Sequence, residues 1–315
     1  MPHCKMTLHA ILCAATLALV VGCSPAAQAP AVPPFHGDRA FDLLQKQVDL
    51  GPRVPGAPGH AAGAKLIESQ LKPYADSVTA QDFTRQVDGK TVEMSNIIAR
   101  FNSGARRWVL LAAHWDTRPM ADYEVDAAKR KLPIPGANDG ASGVAVLLEL
   151  ARVFSVRKPD VGVLMVFFDG EDYGATESGM YLGSKYFARN LKESTAVDGK
   201  PVKIDYGILL DMVGDKNLDI HQERGSVESA PEVVEKVWSV AKDLGYQDIF
   251  LPDTRYTIVD DHIPLIRAGI KCVDIIDFDY SSWHTLADTP DKCSPKSLKT
   301  VGEVVAHVIY EEKPS

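Results

Sequence analysis

Residues 162–172 read Gly-Val-Leu-Met-Val-Phe-Phe-Asp-Gly-Glu-Asp. The first seven are apolar apart from the leading glycine, show no alternation and are too few for a stable helix. Such a run suits a strand covered on both faces, as in a parallel sheet with helices above and below. Residues 205–211 (Asp-Tyr-Gly-Ile-Leu-Leu-Asp) and 271–277 (Lys-Cys-Val-Asp-Ile-Ile-Asp) repeat the pattern, each ending on an acid. Helical apolar spacing marks 36–48, 58–72, 140–156, 177–191, 229–244 and 295–311 between and around them. Residues 92–102 and 107–113 read as two strands joined by a turn at Ser103-Gly104, an antiparallel entry to the sheet. The alternation predicts an α/β/α sandwich around a central mixed, mostly parallel sheet, with 36–315 as a single domain.

The chain has 315 residues, 34 Lys and Arg against 42 Asp and Glu, and a net charge of −8. That balance argues against a nucleic-acid partner, which requires a basic face. Hydrophobic residues make up 45%, enough to exclude a disordered chain. Residues 1–22 read as a signal peptide. A short polar start precedes an apolar run from Ile11 to Val21, too short for a comfortable membrane span. The run ends in Val20-Val21-Gly22-Cys23, which resembles a bacterial lipobox; the resemblance implies that Cys23 becomes a lipidated first residue. Ser24 after it implies the outer membrane, hence a periplasmic-side protein of the cell envelope attached to the membrane only through Cys23. The rest of 23–35 is a Pro/Ala tether. Cys272 and Cys293 remain in the mature chain. An oxidising compartment would let them pair, while the apolar run around Cys272 equally suits a small core residue.

Acids and histidines gather just after the predicted strands: His114-Trp115-Asp116, Asp139 before the apolar helix, Asp169-Gly170-Glu171-Asp172, Asp211, and Trp283-His284-Thr285. Sites in open parallel sheets form outside the carboxyl ends of the strands. Any one of these acids could be a helix cap or a solvated loop residue. Capping does not explain Asp, Glu and His together at the ends of several strands of one sheet. Carboxylates with imidazole are a zinc-favouring donor set, and a catalytic zinc has three protein ligands and an open position.

The order His-x-Asp, Asn-Asp-Gly-Ala-Ser-Gly, Asp-Gly-Glu-Asp, Leu-Asp-Met and His-Thr resembles the M28 zinc peptidase superfamily. Pro52-Arg53-Val54-Pro55-Gly56, Ser95-Asn96-Ile97-Ile98, Asp260-Asp261-His262-Ile263-Pro264 and Trp283-His284-Thr285 are more similar to its animal-type glutaminyl cyclases. By position, the resemblance implies one zinc per chain held by Asp139, Asp172 and His284, with Asp172 standing where the family has Glu. It implies Glu171 as general acid/base, supported by Asp211 and Asp260, and Trp283 as a substrate-pocket wall. The implied reaction closes an N-terminal glutamine of a peptide or protein to pyroglutamate and releases ammonia. Two departures affect the pocket walls: the short loop Tyr173-Gly174-Ala175-Thr176-Glu177, and Asp277-Phe278-Asp279-Tyr280. The alternative is a two-zinc aminopeptidase, in which His114 and Asp211 complete a second site bridged by Asp139 and Glu171 activates water. A non-catalytic binding lipoprotein would be marked by loss of Glu171 or a ligand, and neither is lost.

Overall fold

A computed structural model describes residues 1–3 and 31–314. The chain divides into Met1–Ala31 and Val32–Ser315, and the fold is that of the second unit. Apart from residues 1–3 and 31–35, the expected signal peptide, Cys23 and the tether lie outside the described residues.

Six strands form the central sheet: β1 Ser77–Val87, β2 Lys90–Phe101, β3 Trp108–His114, β4 Gly162–Phe168, β5 Ile204–Asp211 and β6 Cys272–Ile276, in the order β1-β2-β4-β3-β5-β6. The pairs β3–β4, β3–β5 and β5–β6 are parallel, whereas β1–β2 and β2–β4 are antiparallel. The sheet is thus mixed and mostly parallel, as the short apolar runs predicted. Every residue of β3 and β4 is buried. Their period of two assigns Val109, Leu111, Ala113, Val163, Met165 and Phe167 to one core. Leu110, Ala112, Leu164, Val166 and Phe168 belong to the other. The helices Gly37–Val48, Ala141–Val156, Pro231–Asp243 and Pro295–Glu311 contribute to the first core, and Leu182–Arg189 and His262–Arg267 to the second.

The antiparallel entry differs from the expected one. β2 pairs with β1 and β4, and the hairpin turns at Asp88-Gly89, where both residues have positive φ (49° and 75°). An Asp-Gly pair supplies the backbone that a tight hairpin needs. Ser103-Gly104 instead begins a connection that carries the chain past the neighbouring strand to β3. β1 was illegible because most of its residues are polar and only Phe83 and Val87 are buried. A parallel pair, Ile220–Glu223 with Phe250–Tyr256, was also missed, because the first strand has four residues with one hydrophobic among them and the second is mostly exposed.

Cys272 and Cys293 are both free and buried, in different cores. Cys272 is the small core residue of the second reading.

The helix Ala141–Val156 lies so close to β5 that a Cβ on Gly143 would sit 2.3 Å from the Leu210 carbonyl oxygen. This contact seats the start of that helix, and Asp139 just before it, over the end of the sheet.

Candidate metal centre and active site

His114 and Asp211 end β3 and β5, and Asp169-Gly170-Glu171-Asp172 follows β4. All lie at the carboxyl edge of the parallel strands. Asp116, fully buried, turns its carboxylate on the next loop: Glu171 N–H donates to Oδ1 at 3.0 Å and Asp172 N–H to Oδ2 at 3.3 Å. Tyr181 N–H donates to the Glu171 carbonyl at 2.7 Å. Tyr181, Met212 and His284 all have φ between 47° and 56°, in the left-handed region that side chains other than glycine's rarely adopt. Three non-glycine residues in that region around one cluster mark a place where packing overrides local preference.

Asp139, Asp172 and His284 converge, with one candidate donor atom from each lying within 4.8 Å of the others. His284 Nε2 is 3.6 Å from Asp139 Oδ2 and 3.4 Å from Asp172 Oδ1. All three side chains are buried, and Asp172 Oδ2 has no hydrogen-bond partner. Burial lowers the His284 imidazole, but Asp172, Asp122 and Asp139 outweigh it and push it up to about 9. Two carboxylates and an imidazole, with an unpartnered buried oxygen and surplus negative charge, fit a divalent cation. His114, Asp139 and Asp211 form a second group of this kind: His114 Nε2 is 3.1 Å from Asp139 Oδ1 and from Asp211 Oδ1.

Glu171 is in neither group. It shares a cavity of about 40 Å³ with Asp211, Asp260, Ile258, Phe278 and Trp283. Burial raises its carboxyl well above the usual range. The charges of Asp172, Asp260 and Asp261 add to this, and His114 opposes it. Asp260 is likewise raised, by burial and then by Asp211 and Asp261. A carboxyl whose proton affinity is raised in this way suits general acid/base work. The Trp283 ring stands 4.1 Å from His284, 4.9 Å from Tyr123 and 5.0 Å from Phe278. Asp139, Glu171, Asp172, Asp211, Asp260, Trp283 and His284 therefore meet in this one cavity, whereas the Asp169 carboxylate turns to His60 and the Ser95 amide. A larger open groove of about 870 Å³ along β1 holds none of these strand-end acids.

Sequence reasoning missed the supports. Asp288 accepts from the Asn138 and Asp139 amides at 2.8 and 3.1 Å and from the Tyr280 hydroxyl at 2.7 Å, tying the His284 loop to the Asp139 loop. Its signal was its place four residues after His284. Arg53, fully buried, donates to the carbonyls of Trp115 (3.1 Å), Pro135 (3.2 Å) and Gly136 (2.5 Å). Burial lowers its guanidinium to about 10 against the opposing pull of Asp288, Asp116 and Asp139. Arg53→Met keeps the volume but strands three carbonyls, so it is expected to cost on the order of 3 kcal/mol. Urea unfolding of the variant checks this, and a midpoint matching wild type would remove Arg53 as a structural pin.

The pattern of Peptidase family M28 matches residues 96–309. The chain is similar to a glutaminyl cyclase of Bacteroides thetaiotaomicron solved with N-acetylhistamine bound, at 40% identity and a TM-score of 0.85 over 90% of this chain and all of that one. It is similar to a zinc-dependent exopeptidase of Parabacteroides distasonis at 38% identity and the same TM-score, over 90% of this chain and all of that one. It is also 28% identical to the glutaminyl-peptide cyclotransferase of Drosophila melanogaster over 78% of this chain and 73% of that one. A pattern matching two-thirds of the residues, from the middle of β2 through the last helix and across every acid at the strand ends, means that the chain belongs to peptidase family M28.

Proposed function

We propose that this protein cyclises N-terminal glutaminyl residues of peptides and proteins to pyroglutamate, with release of ammonia. The observation that carries the reading is the sharing of one narrow cavity by Glu171, Asp260 and Trp283, beside the Asp139–Asp172–His284 cluster. The likeness to the Bacteroides cyclase over that whole chain supports it.

In this reading Asp139, Asp172 and His284 hold one zinc per chain. Bound there, the ion would supply Lewis-acid polarisation of the glutamine side-chain amide. Glu171 accepts a proton from the α-amine as its nitrogen bonds to the amide carbon, and delivers a proton to the departing nitrogen. The carbon–nitrogen bond of the amide breaks, ammonia leaves, and no water is consumed. The charge of Asp260 across the shared cavity raises the proton affinity of Glu171, and the charge of Asp211 does the same for Asp260. Trp283 walls the pocket against the methylenes of the glutamine and keeps bulk solvent out.

The cluster His114, Asp139 and Asp211 favours a second reading, a two-metal aminopeptidase. One experiment separates the two: purified protein assayed on a Gln-peptide and on Leu-p-nitroanilide, with metal counted per chain. We expect about one zinc and turnover of the Gln-peptide alone. Two tightly held zincs together with Leu-p-nitroanilide hydrolysis would overturn the cyclase reading.

The lipobox-like ending at Cys23 supports export and lipid anchoring on the periplasmic side of the outer membrane, with 36–315 as the catalytic domain. Among the described residues no helix is long and apolar enough to cross a membrane.

A further inference from the structure

Two residues beyond the His114-Trp115-Asp116 motif, a buried guanidinium links two of the proposed ligands. Arg118 Nη1 donates to Asp172 Oδ1 at 2.7 Å and to the Gly174 carbonyl at 3.3 Å. Its Nε and Nη2 donate to the two oxygens of Asp122 at 2.9 and 2.7 Å. Asp122 Oδ1 in turn faces His284 Nδ1 at 3.4 Å. The next residue, Tyr123, donates its N–H to the His284 carbonyl at 3.2 Å. The Arg118 side chain is 5% exposed and that of Asp122 35%.

We propose that Arg118 is a positioning residue that sets the spacing of two ligand arms, holding Asp172 directly and His284 through Asp122. This rests on the reading of Asp139, Asp172 and His284 as the metal ligands. A carboxylate on the far nitrogen of a ligating histidine fixes its tautomer and ring orientation. Asp122 is the carboxylate placed to do this for His284: its Oδ1 faces Nδ1 at 3.4 Å, and that nitrogen has no hydrogen-bond partner. Asp172 is one methylene shorter than the glutamate the resemblance expects, so its reach is smaller and its placement matters more. Arg118 takes Asp172 Oδ1 and leaves Oδ2 unpartnered. A planar fork with five donors can grip Asp122 through both oxygens and Asp172 at once, which the single ammonium of lysine cannot do.

The test uses the full chain with Arg118→Lys, Arg118→Met and Asp122→Asn. Zinc dissociation constants come from competition with a chromophoric chelator, and melting temperatures from the zinc-free proteins. Asp122→Asn should weaken zinc about tenfold and Arg118→Met about 10–100-fold. Arg118→Lys should fall between Arg118→Met and wild type. The zinc-free Asp122→Asn protein should melt near wild type, because that side chain is one-third exposed. Arg118→Met combined with Asp122→Asn should bind zinc no more weakly than Arg118→Met alone, since Asp122 acts through the same link. Wild-type zinc affinity in Asp122→Asn and Arg118→Lys, or additive losses in the double variant, would overturn the proposal. The two conservative variants keep the test decisive where Arg118→Met does not fold. A wild-type protein that binds no zinc would refute the metal assignment itself, whereas wild-type binding with unmoved variants refutes Arg118 alone.

Discussion

Glu171→Gln is expected to lose about 10²–10⁴-fold of Gln-peptide cyclisation while retaining its zinc. The substitution keeps the shape and hydrogen-bonding capacity of the side chain but removes its ability to accept the amine proton. The backbone of residue 171 is held by Asp116 and Tyr181 through main-chain atoms, which the exchange does not touch. Among the described residues, the side chain belongs to none of the three groups whose donor atoms converge for a metal. Steady-state rates on a Gln-peptide and a zinc count on the same preparation check both halves. A variant that turns over normally removes Glu171 from the chemistry. One that loses its zinc shows that Glu171 and Asp172 have exchanged roles.

Asp260→Asn should lose about 10²-fold or more of cyclisation with a melting temperature close to wild type. The competing role for Asp260 is a helix cap. The helix His262–Arg267 has no side-chain cap from Asp261, the residue before it. Asp260 Oδ1 accepts only from the adjacent Asp261 amide, and Oδ2 has no partner. An amide oxygen serves that one hydrogen bond as well as a carboxylate does. Burial and the neighbouring acids favour the protonated form of Asp260, and an asparagine resembles that form closely, so the fold should accept it. An amide cannot pass a proton to or from Glu171. Near-normal turnover would exclude Asp260 from the mechanism, and a parallel fall in melting temperature would make it a structural residue.

The parallel strands and long helices were legible because burial on both faces leaves an unbroken apolar run, and a helix packed on a sheet leaves a 3.6-residue period. The helix Pro295–Glu311 agrees with the expectation to the residue. The predicted helix over 177–191 breaks into a short 3₁₀ turn, Glu177–Gly179, and the helix Leu182–Arg189. Tyr181, with its left-handed backbone, separates them so that its amide can reach Glu171. No local pattern encodes that break. The acids were legible as a set because each follows a strand. Arg53, Arg118, Asp122 and Asp288 were not, because a side chain that serves backbone groups or another side chain shares no spacing with what it serves. Arg53 reaches Gly136, 83 positions away.

The three side chains proposed as ligands come from the loop before Ala141–Val156, the loop after β4 and the loop after β6, so they span residues 139 to 284. β4 must pair with β3, β3 with β5 and β5 with β6 before those loops share one edge. Such long-range pairings form slowly and together. No fragment short of β6 contains the complete centre, and a chain still emerging in extended form has nothing to hold an ion with. Metal acquisition therefore belongs to the finished fold. The ion then acts as a lock on the native state, shifting the folding equilibrium by mass action rather than directing the path to it.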